Sequence, residues 1–131
     1  MGSRILVVED DPQNLYLARY LLEQGGYEVD VAHDGEEAIE KAREMVPDLI
    51  LMDLLLPRLD GLESTRRVLH SPGLEDVTVV ALTAYSMTGD RDRAMQAGCV
   101  GYIAKPIDPG EFIGQVEGFL QAPDAGEPDV R

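Results

Sequence analysis

The chain has 131 residues, 44% of them apolar, which suits one compact domain with a buried core. Its formal net charge of -14 disfavours direct binding to nucleic acid or to an anionic membrane, because the few basic residues do not cluster. No run reaches the ~20 apolar residues that cross a bilayer, and the first residues lack the apolar segment of a secretory signal, so we expect a cytoplasmic protein.

Short β-branched apolar runs alternate with segments of helical periodicity, which predicts a parallel sheet covered on both faces. The first unit is a strand at 5–8 and a helix that has Asp11 as its N-cap, starts at Pro12 and ends at Gly25-Gly26.

The second unit is a strand at 28–32 and a helix that begins at Asp34. Glu37 follows three residues later in a capping-box arrangement, and Pro47 stops the helix.

Residues 49–52 form a strongly apolar run, as expected of a central strand, and the run ends in Asp53. A loop then leads to Asp60-Gly61 and to a helix that ends near His70. A fourth strand at 77–82 ends at Thr83.

A helix over 88–97 closes at Gly98, and Cys99 behind it is interpreted as a small buried apolar residue. A strand at 100–104 precedes Lys105, and Asp108-Pro109 with Glu111 begins the last helix. After Gln121 the composition changes to Pro, Gly, Asp and Glu. We therefore predict a domain at 1–121 and a disordered acidic tail at 122–131.

Five strand–helix units with right-handed crossovers predict an α/β fold, a doubly wound five-stranded parallel sheet of the flavodoxin-like (βα)5 type with strand order 2-1-3-4-5. In such sheets ligands bind outside the carboxyl ends of the strands. The functional residues should therefore lie at that edge.

Chemically suitable residues follow four of the five strands: Glu9, Asp10 and Asp11, then Asp53, Thr83 and Lys105. Two carboxylates ~5 Å apart repel by roughly 3 kcal/mol at an effective dielectric of about 20, so a cluster of acids needs a proton or a cation. Oxygen ligands without His or Cys favour magnesium, the usual partner of phosphoryl groups. An acid after a strand can also cap the next helix, as we expect for Asp11.

This residue set suits phosphoryl transfer, which needs a nucleophile in line and positive charge around the phosphoryl oxygens. Asp53 can supply the nucleophile, a metal ion and Lys105 the charge, and the Thr83 hydroxyl a hydrogen bond to a phosphoryl oxygen.

Five segments in order resemble the receiver domain of response regulators, in the chemotaxis-regulator-like superfamily, over nearly the whole chain. They are ILVVEDDP at 5–12, PDLILMD at 47–53, Pro57 through Asp60-Gly61, ALTA at 81–84 and GYIAKP at 101–106. Residues 85–90 and 97–99 further resemble single-domain cell-fate regulators of the DivK type and the receivers of hybrid histidine kinases.

The resemblance implies roles for individual residues. It makes Asp53 the phosphoacceptor, Glu9 and Asp10 the magnesium-binding acids, and Lys105 the salt-bridging lysine before a cis Lys105-Pro106 bond. The metal ligands would include Asp53 and the backbone carbonyl of Leu55.

The resemblance also implies a switch. Thr83 would be the switch hydroxyl that moves toward the phosphoryl group, and Tyr102 the aromatic side chain that turns inward. The protein would then be a signalling phosphoacceptor that catalyses only its own phosphorylation and dephosphorylation. Its partners would be a histidine kinase or a histidine phosphotransfer protein and a downstream protein target.

Two positions depart from the commonest family pattern. Glu9 stands where many members carry Asp, and its longer side chain is expected to reach the metal through water. Leu55 is apolar at a position that tunes hydrolysis, so we expect a poorly oriented attacking water and a long-lived phosphoryl form.

Three other functions are compatible with this fold. An aspartate-nucleophile phosphatase of the haloacid dehalogenase type needs an Asp two positions after Asp53, where Leu55 stands. A flavin-binding electron carrier needs a Ser/Thr/Gly-rich phosphate loop after the first strand, which is missing. A degenerate receiver that binds partners without phosphorylation is disfavoured by the intact acid, threonine and lysine set.

Overall fold

A computed structural model describes residues 3–54, 56, 60–83 and 88–121, without the side chains of 88–91. In this part of the chain strands and helices alternate: β1 (Arg4–Val8), α1 (Pro12–Gln24), β2 (Glu28–Ala32), α2 (Gly35–Met45), β3 (Leu49–Asp53), α3 (Gly61–Leu69), β4 (Thr78–Thr83), α4 (Thr88–Ala97), β5 (Gly101–Ala104) and α5 (Phe112–Gln121). None of the described helices is both long and apolar enough to span a membrane.

The strands form one parallel sheet in the order β2-β1-β3-β4-β5. This confirms the predicted doubly wound flavodoxin-like fold. Every residue of β3 and β4 is buried, as expected of central strands with helices on both faces. The carboxyl ends of β1, β3, β4 and β5 are therefore neighbours along one edge of the sheet.

Alternate residues along each strand point to opposite faces of the sheet and form two apolar layers. One layer joins Leu6, Ile50 and Val79 to helices α2, α3 and α4. The other joins Leu51 and Val80 to helices α1 and α5. These two layers fix the strands on both sides and leave only their ends free for function.

Most predicted element boundaries are confirmed within a residue. Strand β4 begins one residue later than expected because the backbone N–H of Val77 donates to Leu74 C=O in a turn. Asp53 and Thr83 are the last residues of their strands rather than the first residues after them. Cys99 is 4% exposed, and burial raises its thiol pKa to about 11, which agrees with an apolar role. The predicted tail at 122–131 lies outside the described residues.

The helix caps follow the sequence with one difference. Asp11 Oδ1 accepts a hydrogen bond from the Gln13 N–H at 3.3 Å, and Asp34 Oδ1 accepts one from the Glu37 N–H at 2.8 Å. The Glu37 carboxylate, however, accepts from the N–H of His33 at 2.8 Å, one residue before the cap. In a standard capping box Glu37 would accept from the N–H of the N-cap residue, Asp34. Here it accepts from the N–H of the preceding residue, His33.

Helix α2 ends in an unusual backbone conformation. Its C-cap is Val46, with φ 47° and ψ 73°, in the left-handed region that β-branched residues rarely adopt. Val46 is 52% exposed, so packing does not compensate for much of this strain. Pro47 follows and prevents the helix from continuing.

We expect Val46→Gly to raise the free energy of unfolding by about 0.5–1 kcal/mol, because glycine adopts the left-handed conformation without a Cβ clash. Val46→Ala is the matched control. It should raise the free energy of unfolding by less than Val46→Gly does, because it keeps the Cβ atom. Urea unfolding midpoints at an unchanged slope measure both variants. If the glycine variant is no more stable than the alanine variant, the claim that the backbone of Val46 is strained is wrong.

Candidate functional site

The strand register brings the predicted site residues to one edge of the sheet. Val8 pairs with Met52, so Glu9 and Asp10 directly follow β1 beside Asp53 at the end of β3. Asp53 in turn pairs with Leu82. Thr83 pairs with Ala104, which places Lys105 just beyond the same edge.

Three carboxylates gather at this edge. Glu9, Asp10 and Asp53 each offer an oxygen atom, and these atoms lie within 4.8 Å of one another. Glu9 is 2% exposed and Asp53 is 3% exposed, whereas Asp10 is open to solvent. Burial weakens screening by water, so two of the three charges repel strongly.

Lys105 partly neutralises the cluster. Its Nζ donates to Glu9 Oε1 at 3.1 Å and lies 3.3 Å from Asp53 Oδ2. The Lys105 backbone N–H donates to Thr83 C=O at 2.8 Å, and the following Lys105-Pro106 bond is cis, as expected. The sequence predicted a lysine near Asp53 but not its direct contact with Glu9.

Both carboxylate oxygens of Glu9 are engaged within the protein. While Oε1 accepts from Lys105, Oε2 accepts from the backbone N–H of Asp11 at 3.2 Å. Glu9 is therefore held in one orientation, beside Asp53.

The electrostatic environment changes the pKa values of both partners. Burial and the nearby charge of Asp53 raise the pKa of Glu9, while the hydrogen bonds from Lys105 and the Asp11 N–H lower it by less. Burial also lowers the pKa of Lys105, but the attraction of Asp53 and Glu9 outweighs that effect and raises it overall. Lys105 is thus positively charged at neutral pH, and the ionised cluster retains two excess negative charges.

The donor set fits a hard divalent cation. Within the described residues, the cluster offers only carboxylate oxygens and no His or Cys ligand. Its two excess charges match those of a magnesium ion. The Leu55 carbonyl, expected to complete the ligand set, lies outside the described residues.

Thr83 and Tyr102 occupy neighbouring strands behind the cluster. Thr83 is buried at the end of β4, and Tyr102 is half-buried in β5, opposite Ala81. Tyr102 packs against the apolar layer shared with α4.

From the sequence, Gly61 was expected to begin a helix and to belong to one of the segments that resemble receiver domains, with no role at the site. In the structure Gly61 lies against the backbone of Asp53 and Leu54, and its N–H donates to Leu54 C=O at 3.3 Å. The sequence shows the Asp60-Gly61 pair, but it does not show that Gly61 packs against the end of β3.

Comparison with known proteins gives a consistent result. Residues 5–117 match the family model described as "Response regulator receiver domain". The chain is 42% identical over 120 residues to the polar-differentiation response regulator DivK of Brucella anthropi, covering 92% of this chain and 98% of that protein.

Solved structures agree with the sequence comparison. The receiver domain of the sensor histidine kinase PA1611 of Pseudomonas aeruginosa superposes with a TM-score of 0.85 at 36% identity, over 92% of this chain and 99% of that one. Its description records a magnesium ion coordinated in the active site cleft. The chemotaxis response regulator CheY4 of Vibrio cholerae, at 24% identity, has a TM-score of 0.86 over 90% of this chain and 98% of that one, and it supports the fold alone.

The raised pKa of Glu9 predicts a pH-dependent stability. The folded protein holds the Glu9 proton more tightly than the unfolded chain does, so ionising Glu9 destabilises the fold. In metal-free solution the free energy of unfolding should therefore fall, relative to Glu9→Gln, as the pH rises above the ordinary carboxyl value of 4.5. Urea unfolding of both proteins at a series of pH values in EDTA measures this difference.

The same comparison in an Asp53→Asn background is the matched control. The trend should shrink there, because the charge of Asp53 is one cause of the raised pKa. A stability difference between wild type and Glu9→Gln that stays constant with pH would contradict the assignment.

Proposed function

Because the chain belongs to the response regulator receiver domain family, we propose that it accepts a phosphoryl group on the Asp53 carboxylate from a phosphohistidine, with magnesium bound beside it. The observation that carries the proposal is the cluster of Glu9, Asp10 and Asp53, in which the Lys105 ammonium contacts Glu9 and Asp53. The donor would be a histidine kinase or a histidine phosphotransfer protein. The cytoplasmic location expected from composition stays a prediction.

In this proposal Asp53 acts as the nucleophile. One of its carboxylate oxygens would form the new bond to phosphorus as the phosphorus–nitrogen bond breaks and the imidazole leaves with the electron pair. The burial of Asp53 limits competition from bulk water during this step.

Charge on the phosphoryl oxygens would be stabilised from two sides. Lys105 Nζ already lies 3.3 Å from Asp53 Oδ2, within reach of an oxygen on a phosphoryl group attached there. Glu9 and Asp10, with Asp53 and the Leu55 carbonyl, would hold magnesium, which supplies further positive charge when it is bound. The contact with Glu9 keeps the lysine at the site before the phosphoryl group arrives.

Phosphorylation would then change the protein's surface. The added charge would attract the Thr83 hydroxyl and draw Lys105 away from Glu9, and Tyr102 would turn inward as Thr83 moves. A coupling of about 1–3 kcal/mol would alter affinity for a partner several-fold or more. The output would be a contact between the face formed by α4, β5 and α5 and a downstream protein target.

Incubation with acetyl phosphate and magnesium, followed by intact mass spectrometry, tests the proposed function. We expect wild type to gain one phosphoryl group, and EDTA to abolish the gain. Asp53→Asn should not be labelled, whereas Asp48→Asn, at the opposite edge of the sheet, should be labelled like wild type. No labelling of wild type, or equal labelling of Asp53→Asn, would refute the proposal.

The lifetime of the phosphoryl group is a separate prediction. The apolar side chain of Leu55 cannot orient a water molecule by hydrogen bonding, so we expect slow hydrolysis. Leu55→Asn should speed the decay by about fivefold or more because an amide can position the attacking water. Intact mass followed over time after removal of acetyl phosphate measures both rates. An unchanged or slower decay would contradict this account.

A further inference from the structure

The start of helix α3 lies directly against the end of the strand that carries Asp53. We propose that Gly61 is a positioning residue, whose missing side chain lets α3 fix the backbone of Asp53 and Leu54 and thereby sets the Asp53 carboxylate within the acid cluster. This inference rests on the proposed function, because it assigns Gly61 to the same metal-binding and phosphoacceptor site.

The contact at Gly61 involves main-chain atoms that cannot move aside easily. A Cβ atom at Gly61 would overlap the carbonyl oxygen of Asp53 and would lie 2.8 Å from Leu54 Cα and 3.0 Å from the Asp53 carbonyl carbon. The Gly61 N–H also donates to Leu54 C=O at 3.3 Å. Any side chain here must therefore displace either α3 or the backbone that follows Asp53.

Helix α3 is held from its other side. Ser64 Oγ donates to Gly35 C=O of α2 at 3.0 Å, and Ser64 is fully buried. Val68 packs in the apolar layer between the sheet and α2. A retreat of α3 would break the hydrogen bond from Ser64 and open the core, which is costly because protein interiors are closely packed.

Strand β3 is equally constrained up to Asp53. It is paired along its length with β1 and β4, and Asp53 itself pairs with Leu82. Just after the strand, the Leu54 N–H still donates a hydrogen bond to Leu82 C=O of β4, at 3.2 Å. The displacement caused by a side chain at Gly61 would therefore concentrate in the peptide that joins Asp53 to Leu54.

That peptide determines where the Asp53 carboxylate points. Asp53 Oδ2 lies 3.3 Å from Lys105 Nζ, and the carboxylate belongs to the cluster of oxygens within 4.8 Å of one another. A shift of a few tenths of an ångström would change both the distance from Asp53 to Lys105 and the spacing of the three carboxylates. Magnesium affinity depends on all three carboxylates at once, so we expect it to fall more clearly than the free energy of unfolding.

Magnesium affinity of Gly61→Ala, measured by isothermal titration calorimetry with magnesium chloride, tests the inference. We expect the dissociation constant to rise about tenfold, as when a residue that supports metal ligands is lost. The matched control is Gly101→Ala, where the new Cβ would lie 2.5 Å from the Phe119 ring, at the start of the edge strand β5, which β4 separates from the strand of Asp53. It should lose stability but keep the wild-type affinity within about twofold.

A second variant separates positioning from simple destabilisation. Adding Ser64→Ala to Gly61→Ala removes the hydrogen bond that holds α3 against α2, so the helix can retreat from Asp53. The double variant should be less stable than Gly61→Ala and yet bind magnesium more tightly, by about threefold or more. All proteins are compared in sucrose, which favours the folded state, and circular dichroism verifies folding.

The possible outcomes are distinct. The proposed role of Gly61 is wrong if Gly61→Ala and Gly101→Ala lose magnesium affinity equally. It is also wrong if the double variant binds magnesium no more tightly than Gly61→Ala. The proposed function would survive that result provided that wild type is still phosphorylated on Asp53. Failure of wild type to bind magnesium or to be labelled would instead refute the proposed function itself.

Discussion

Two buried carboxylates, Glu9 and Asp53, share the ammonium group of Lys105, and this arrangement defines the functional edge of the sheet. At ~5 Å and an effective dielectric of about 20, two such charges repel by roughly 3 kcal/mol. One lysine offsets part of that repulsion, while Asp10 adds a third negative charge. The remaining negative charge therefore favours binding of a divalent cation. In the proposed reaction, a phosphoryl group on Asp53 would compete with Glu9 for the ammonium group of Lys105.

The fold makes such a cluster possible. The parallel register carries the ends of β1, β3, β4 and β5 to one edge, and the two apolar layers fix each strand from both sides. The stability provided by these layers allows the edge to hold unfavourable charge, a common arrangement at functional sites. The close packing of Gly61 on the backbone of Asp53 extends this rigidity beyond the strand itself.

The sequence predicted the sheet order, the strand ends and the residues that meet there, because alternating elements with apolar strands allow few topologies. It could not predict the bond between Lys105 and Glu9, since 96 residues separate them and only the final packing orients both side chains. The left-handed conformation of Val46 was equally hidden, because Pro47 announces the end of a helix but not its cap geometry. Gly61 was recognised as a helix start, whereas its contact with Asp53 depends on tertiary structure.

Paramagnetic broadening by Mn²⁺, a close substitute for magnesium at oxygen ligands, tests the central claim most directly. Added below one equivalent to isotopically labelled protein, Mn²⁺ should first broaden the amide signals of residues 9–11 and 53–54, around the three carboxylates. Broadening that begins instead near Asp48, at the other end of the sheet, or along the exposed acids Glu36, Glu40 and Glu44 of α2 would contradict a metal site at this cluster.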